Sequence, residues 1–405
     1  MKILVVCQYY HPEPFRITDI CETLVKKGHK VTVITGLPNY PEGIILREYR
    51  FGKNRKEVLN GVNIIRCFEI GRGKSKIQLF INYVSFMISG SIKAILIKEK
   101  YDVVFVNQLS PVLMTVPAII YKKMKKSKIL LYCLDLWPDS LVAGGVSTNS
   151  SIYKLFYKIS KWIYRSVDSI LVTTNMFKDY FENVLQIHEL NIKYLPQYAE
   201  DLFVENNRNL DFRKNNDDIN LVFAGNIGEM QSVETIIYAA NEIKDDEQIK
   251  IHIVGDGSNY EICKRLSEKL SLTNVFFYGR KPMTIMPSFY VMADAMLVTL
   301  KGNSNLSYTV PGKVQSYMAA GKPIIGSING ETQKIINNSE SGYCCGAEDF
   351  IALTNLIIKF KESSNETKVK MAQNSYYYYL NNFSKEKFFH KLIKEMADLE
   401  ENINV

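Results

Sequence analysis

Leu306-Ser307-Tyr308-Thr309-Val310-Pro311-Gly312-Lys313-Val314-Gln315-Ser316-Tyr317-Met318-Ala319-Ala320-Gly321-Lys322-Pro323-Ile324-Ile325-Gly326 is the stretch from which the fold is read. Pro311 suits a helix start, because its missing N–H would have no intrahelical partner there and its φ is already helical. Gly321 ends that helix, and Pro323-Ile324-Ile325 begins a buried strand. The amides of Gly312, Lys313 and Val314 would then point out of the helix end, beside the Lys313 ammonium. Such an end attracts a diphosphate. An ordinary helix-to-strand connection with solvated lysines fits the same residues, and local chemistry alone does not separate the two.

A helix feeding a buried strand implies alternation, and the chain supplies it on both sides of this stretch. In the second half, strand-like runs fall at Leu221–Ala224, Ile251–Val254, Val275–Tyr278, Ala295–Val298, Pro323–Gly326 and Gly342–Cys345. In the first half they fall at Lys2–Cys7, Val31–Thr35, Val62–Ile65, Val103–Val106, Ile129–Cys133 and Ile170–Val172, with a helix expected from about Arg16 to Lys27. Short continuous apolar runs between helical patterns predict parallel sheets covered on both faces. The polar stretch from Glu200 to Asp218 separates the two series. The expected organisation is therefore two doubly wound α/β domains, 1–199 and 219–382, facing across a cleft. A linker at 200–218 joins them, and a C-terminal helix at 383–405 packs across both.

The 405 residues carry 46% hydrophobic and 23% charged side chains, ordinary for a globular protein with sizeable cores. Seven cysteines show no Cys-x-x-Cys or Cys/His ligand spacing, which reads as buried thiols in a reducing cytoplasm. No apolar leader with a small-residue cleavage site follows Met1, so secretion is not expected. The net charge of +8 is unequal, about +12 in residues 1–200 and about −4 in the remainder. That asymmetry points one half toward a polyanion. No recognition helix, RNP-type or zinc pattern accompanies it, so nucleic acid is not the expected partner. An anionic membrane surface or a lipid phosphate fits the charge at least as well.

Ile77 to Ile97 is long enough to span a bilayer but contains Gln78, Asn82, Ser85, Ser89, Ser91 and Lys93. A core helix, or a surface helix touching a bilayer, is expected rather than a span. The basic run Lys122 to Lys128 and the aromatic-basic segment Tyr153 to Arg165 suit an interfacial contact, although a solvated charge run is the ordinary reading.

Ligands on parallel sheets bind beyond the carboxyl ends of the strands, so the loops there carry the chemistry. After the first strand come Gln8-Tyr9-Tyr10-His11-Pro12-Glu13-Pro14-Phe15-Arg16, and after the fifth Leu134-Asp135-Leu136-Trp137-Pro138-Asp139-Ser140. Asp135 or Asp139 fits a base or a hydroxyl-binding group, and equally a helix cap. His11 fits a proton carrier or a satisfied surface residue, and Arg16 a phosphate ligand or a solvated helix face. Gly225-Asn226-Ile227-Gly228 and Gly255-Asp256-Gly257 do not complete a dinucleotide fingerprint, which disfavours a dehydrogenase. No Asp-x-Asp pair is present to hold a divalent metal on a diphosphate, so no metal site and no cofactor are expected.

Several of these segments resemble one family. They are Tyr9-Tyr10-His11-Pro12-Glu13, Lys27-Gly28-His29-Lys30-Val31-Thr32-Val33, Pro38-Asn39-Tyr40-Pro41-Glu42-Gly43, Asp135 to Ser140, Gly225 to Gly228, Val310 to Lys313 and Tyr317 to Pro323. Together they resemble glycosyltransferase family 4, of the GT-B fold, in the branch containing fucosamine transferases of capsule and O-antigen synthesis. The resemblance implies metal-independent, retaining transfer of an N-acetylated deoxyhexosamine from a UDP-sugar. The implied acceptor is a saccharide on a polyprenyl diphosphate, with the protein peripheral at the inner face of the cell membrane. Donor contacts would fall to Asn226, Gln231, Arg280, Lys281, Lys301, Thr309, Val310, Pro311, Gly312, Val314, Ser316 and Glu331. Acceptor contacts would fall to His11, Glu13, Phe15, Trp137 and Asp139, and catalysis to Lys313, Asp135 and Arg16. The chain departs from the family where Thr309 and Ser316 replace paired glutamates, Asn226 and Gln231 replace an Arg and a Lys, and Leu134 replaces a His. Nucleotide-sugar 2-epimerisation on the same fold, and binding without turnover, are the alternatives these departures leave.

Overall fold

The computed structural model describes residues 1–205, 218–302 and 308–401. Two compact units divide the chain, Met1–Leu195 with Phe389–Val405, and Pro196–Phe388. Of the expected linker, residues 206–217 lie outside the described residues.

The first unit holds β1 (Lys2–Val6), β2 (Lys30–Thr35), β3 (Lys56–Leu59), β4 (Val62–Arg66), β5 (Val103–Gln108), β6 (Lys128–Cys133), β7 (Ser169–Val172) and β8 (Ile192–Tyr194). They form one sheet in the order β3-β4-β2-β1-β5-β6-β7-β8. All neighbours are parallel except β3 and β4, which make an antiparallel hairpin. Six of the eight strands match the apolar runs in the sequence. The other two, β3 and β8, lie at the sheet edges, where a strand is covered less and needs no unbroken apolar run. Among the helices around this sheet are α1 (Ile17–Lys26), α2 (Lys76–Leu96), α3 (Val116–Lys125) and α4 (Ser151–Ser166). The first begins one residue after the expected Arg16 and seats Ile17, Ile20, Cys21 and Leu24 against the sheet.

The second unit holds β9 (Ile219–Ala224), β10 (Ile249–Val254), β11 (Val275–Gly279), β12 (Ala295–Thr299), β13 (Ile324–Ser327) and β14 (Gly342–Cys345). Its sheet is parallel in the order β11-β10-β9-β12-β13-β14. Its helices include α5 (Val233–Glu242), α6 (Tyr260–Lys269), α7 (Gly312–Ala319), α8 (Glu331–Asn338), α9 (Phe350–Glu362) and α10 (Asn365–Asn382). Alternate residues of each strand face opposite cores. Val222 and Ala224 pack with Tyr317 and Met318 of α7. Leu221 and Phe223 pack with Ile236 of α5 and Phe360 of α9. Both faces are thus apolar, which is why the strands read as unbroken hydrophobic runs.

The last helix, α11 (Lys385–Glu401), begins in one unit and ends in the other. Near its start Lys385 bonds Asp201 at 2.7 Å, and farther along Glu395 bonds Lys193 at 2.5 Å.

Each sheet has one strand on which the chain order turns. In the first unit β1 lies between β2 and β5, and in the second β9 lies between β10 and β12. Such switch points open a crevice at the carboxyl ends of the strands. Around β9 the strand ends approach closely. The Gly225 amide donates to the Val254 carbonyl and the Gly255 amide to that of Gly279. A Cβ on Gly255, at φ +144°, would lie 1.8 Å from the Gly225 carbonyl oxygen. Gly255→Ala is therefore expected to lower stability in urea unfolding by roughly 2 kcal/mol or more. An unchanged midpoint would show that these strand ends separate freely.

Candidate functional site

The helix of the decisive stretch is α7, and it opens one residue later than expected. Pro311 has φ −57° and ψ 133° and stands just outside, while Gly312 is the first helical residue. The Val314 amide closes on the Pro311 carbonyl at 2.9 Å, so it is not free for a ligand as the sequence suggested. Gly312 and Lys313 keep the first N–H groups of the helix, which have no carbonyl one turn earlier to meet. Gly312 is exposed, and Thr309, Val310 and Pro311 are half-buried. At the other end Gly321 takes φ +60°, terminating the helix as its position predicts.

The position of α7 is fixed by one side chain. The Tyr317 hydroxyl donates to the Ala224 carbonyl and accepts from the Ala224 amide, both at 3.0 Å. That pins α7 to the end of β9. Lys313 consequently does not extend into solvent. Its Nζ lies 3.6 Å from the Phe223 ring centroid, and a Cβ on Gly225 would come within 3.1 Å of it. The ammonium is buried and has no hydrogen-bond partner among the described residues. Burial alone pushes it from the usual 10.5 to about 7. An aromatic face offsets part of that cost, and a buried donor with no acceptor among the described residues makes this strand end a candidate anion site.

Neighbouring groups are less cationic than the charge count suggested. Asn226 Nδ2 donates to Gln231 Oε1 at 2.9 Å, and the Gly228 amide donates to the same oxygen at 3.0 Å, so the two side-chain amides hold each other. Lys301 is paired with Glu229 at 2.9 Å. Arg280 and Lys281 follow β11 and are exposed. Thr332 Oγ1 donates to the Thr309 carbonyl at 3.4 Å, tying the entry to α7 onto α8. Glu331, the first residue of α8, is buried.

One carboxylate beside α7 escaped the sequence reading. Ser316 Oγ donates to Glu200 Oε2 at 3.1 Å. Glu200 is 116 residues away and sits in the segment read as linker, so no local spacing could have pointed to it. It brings a carboxylate to Ser316, one of the two positions where the resemblance expected a glutamate.

In the first unit the loops after β1 and β2 are stitched together by buried carboxylates. Glu13 accepts from the Tyr10, Asn39 and Tyr40 amides at 3.3, 2.9 and 2.8 Å. Its oxygens are therefore spent on the backbone, and the acceptor contact expected of Glu13 is replaced by a structural one. Burial raises its pKa and the three N–H donors oppose the rise. Above this staple, Phe15 stacks on Tyr9 at 5.0 Å and meets Tyr40 at 5.1 Å, with the Arg72 guanidinium over Tyr40. His11 Nδ1 is buried without a partner. Arg16 is half-buried at the start of α1, close enough to lower the pKa of Tyr132.

Asp139 stands at the N-cap of the short helix Ser140–Ala143 but makes no side-chain cap bond, and Asp135 caps no helix among the described residues. Asp135 accepts from the Ser110 and Ser140 hydroxyls, and Trp137 Nε1 donates to Ser110 Oγ at 2.8 Å. Burial raises the Asp135 pKa, while the serine hydrogen bonds lower it. Trp137 is itself buried, leaving an edge bond rather than an open face. Asp139 accepts from the Tyr153 hydroxyl at 2.6 Å, and burial raises its pKa against that bond.

Comparison with known proteins covers both units. Residues 16–197 match the family model Glycosyltransferase Family 4, and residues 206–378 match Glycosyl transferases group 1. The chain is 24% identical over 340 residues to WcaI of Escherichia coli K12, named for a glycosyl transfer in colanic acid biosynthesis. That match spans 79% of this chain and 82% of WcaI. It is 26% identical over 259 residues to WbjE of Pseudomonas aeruginosa, named as a glycosyltransferase, spanning 60% of this chain and 62% of WbjE. Among solved structures, sucrose-phosphate synthase of Thermosynechococcus elongatus superposes with a TM-score of 0.72 at 17% identity, covering 98% of each chain. Anabaena HepE in complex with UDP-glucose gives 0.69 at 13% identity, covering 98% of this chain and all of that one. The fold is GT-B.

The Lys313 ammonium sets a pH test. Its folded pKa of about 7 lies below the ordinary 10.5, so between those values the folded state holds fewer protons than the unfolded one. Stability from this group therefore rises with pH across that window, and below pH 7 the burial cost is present in full. Lys313→Met is expected to stabilise the protein by on the order of 3 kcal/mol at about pH 6, with the gain shrinking toward about pH 10. Urea unfolding at both pH values measures it, and a variant whose gain is no larger at the lower pH would contradict it.

Proposed function

We propose that the chain works as a family 4 glycosyltransferase, a reading supported by the two glycosyltransferase family models that match residues 16–197 and 206–378, and that it moves an N-acetylated deoxyhexosamine from a UDP-sugar to a polyprenyl-diphosphate-linked saccharide. The product would enter a capsule or O-antigen type of polysaccharide, and the anomeric configuration would be retained. The observation that carries this reading is the buried, unpartnered Lys313 ammonium at the open N-terminus of α7. A relative named for colanic acid biosynthesis and a GT-B neighbour solved with UDP-glucose support the pathway type and the donor class.

In this reading the diphosphate lies against the Gly312 and Lys313 amides, with Lys313 beneath it and Val310 and Pro311 beside it. Asn226 and Gln231 offer neutral amides to the phosphate oxygens, and Arg280, Lys281 and Lys301 contribute longer-range charge. Glu200, held by Ser316, supplies a carboxylate for donor hydroxyls together with Glu331. The bond from the sugar C1 to the diphosphate oxygen breaks first, and its electron pair stays on the diphosphate. An acceptor hydroxyl oxygen then bonds to C1 on the same face. Its proton passes to the departing diphosphate oxygen, and UDP leaves. Catalysis is electrostatic and positional, with the helix end and Lys313 opposing charge that grows as the bond breaks. On the acceptor side Phe15 and Tyr40 present ring faces to a sugar, near His11, while Asp135 orders the loop through Ser110, Ser140 and Trp137.

Transfer from UDP-N-acetylfucosamine to a polyprenyl-diphosphate saccharide, followed by NMR of the new anomeric proton, tests this directly. The expected product keeps the donor configuration, and EDTA leaves the rate unchanged. An inverted product, or an epimerised nucleotide sugar formed without acceptor, would refute it. Lys313→Ala is expected to lower kcat by about 100-fold. Bound UDP stabilises the ammonium, so above pH 7 the free protein must take up a proton to bind it. UDP affinity should then fall by up to about tenfold per pH unit above 7, measured by calorimetry.

A further inference from the structure

Helix α2 is apolar on both of its faces, and only one of them is used by the fold. Asn82, Phe86, Gly90 and Ala94 form the inner stripe at four-residue spacing. A Cβ on Gly90 would stand 3.0 Å from Pro117 of α3, and Asn82 bonds the Glu69 carboxylate and the Gln8 amide. The outer stripe is Ile77, Ile81, Val84, Ile88, Ile92 and Ile95, three or four residues apart, with Phe80 and Leu96 beside it. Ile77 is 74% and Leu96 65% exposed, and Phe68 and Ile70 extend the patch. A contiguous apolar surface of this kind marks an interaction site.

Helix α4 continues the same layer, through Phe80 and Phe156 with ring centroids 6.5 Å apart. Its exposed side has two adjacent stripes. Ile152, Leu155, Ile159 and Trp162 make an apolar one; Lys154, Lys158 and Lys161 make a basic one, ending at Arg165, which pairs with Glu189. Lys122 of α3 reaches the Ser166 carbonyl and pairs with Asp168, while Lys123 and Lys126 stay exposed. None of α2, α3 and α4 contains an Asp or a Glu.

We propose that the outer faces of α2 and α4 dock the protein on an anionic lipid bilayer, with α2 lying in the plane of the headgroups. This deepens the lipid-linked acceptor reading by assigning the surface, and its test does not depend on transfer. Exposed apolar stripes beside lysines, on helices that themselves contain no Asp or Glu, are what an anionic interface attracts. A second copy of the chain fits worse, since a two-fold contact would set these lysines against their own equivalents. Spanning is excluded by the inner stripe, because withdrawing α2 into a bilayer would strip Asn82 from Glu69 and Gln8.

The two tryptophans provide the readout. Trp137 is 4% exposed and Trp162 48%, so emission changes on binding come from α4. The full chain is titrated with phosphatidylcholine vesicles, with and without about one third phosphatidylglycerol, at low and high salt. Expected are co-sedimentation and a blue-shifted, bromolipid-quenched emission with the anionic vesicles only, weakened by salt. Ile88→Glu with Ile92→Glu should reduce partitioning by at least about tenfold, with an unchanged melting curve and unchanged transfer to a soluble acceptor analogue. Wild-type protein left in the supernatant, or a double variant that binds as wild type, would overturn the proposal. So would a concentration-dependent dimer that the double variant abolishes while vesicle binding is absent. Vesicle binding without transfer leaves this surface standing and refutes only the proposed reaction; transfer without vesicle binding does the reverse.

Discussion

One hydroxyl group sets the geometry of the second unit. By engaging both the amide and the carbonyl of Ala224, Tyr317 does at the end of β9 what a neighbouring strand would do farther down. The end of a central strand is thereby satisfied without being covered by backbone, and α7 is held with its first turn over it. Lys313, one turn earlier on the same helix, then has nowhere to extend except across Phe223 toward Gly225. A Cβ at Gly225 would crowd the Lys313 ammonium at 3.1 Å, and the φ of +139° there also favours glycine. Both the exposed helix end and the buried ammonium follow from the tyrosine.

Lys322 shows why the burial of Lys313 is meaningful. It is half-buried, and desolvation lowers its pKa to about 8. Yet its ammonium donates to the Val291 and Ala293 carbonyls at 3.4 and 2.9 Å and feels the charge of Asp294. That lysine is a structural tie, complete within the protein. Lys313 has an aromatic ring and no acceptor, and leaving a buried donor unmade is costly in a way that a made bond is not. Two lysines in one motif thus have different surroundings, and only the three-dimensional partners distinguish them.

The same limit explains what the sequence revealed. Strands buried on both faces must be apolar throughout, so β9, β10, β12 and β13 are legible as runs; of the edge strands, β11 and β14 keep enough apolar residues to be read, and β3 and β8 do not. Gly321 was legible because a left-handed residue is needed there and glycine adopts it freely. The start of α7 was read one residue early, since proline is accepted both just inside and just outside a helix. Glu200 was invisible because its approach to Ser316 is a tertiary event. The charge of Lys301 was legible and its use was not, because Glu229 was not in any motif.

Carboxylates in the first unit show how chemistry-bearing residues become scaffolding. Glu69 is wholly buried and accepts from Gln8, Asn82 and the Leu37 amide, and burial pushes its pKa to about 8. Glu13 binds three amides of adjoining loops. Neither is free to touch a ligand, but together they fix the loops that carry Tyr9, Phe15 and Tyr40. Gly36 has no side chain because the Glu69 carboxyl occupies that space. Rigid loops held from below by ionisable groups present an aromatic face above, and the charge that meets that face is Arg72 over Tyr40. Under the proposed function, binding there would rest on ring faces and shape, and binding at α7 on charge. The two candidate surfaces thus differ in kind, ring faces in the first unit and a buried ammonium beside a helix end in the second.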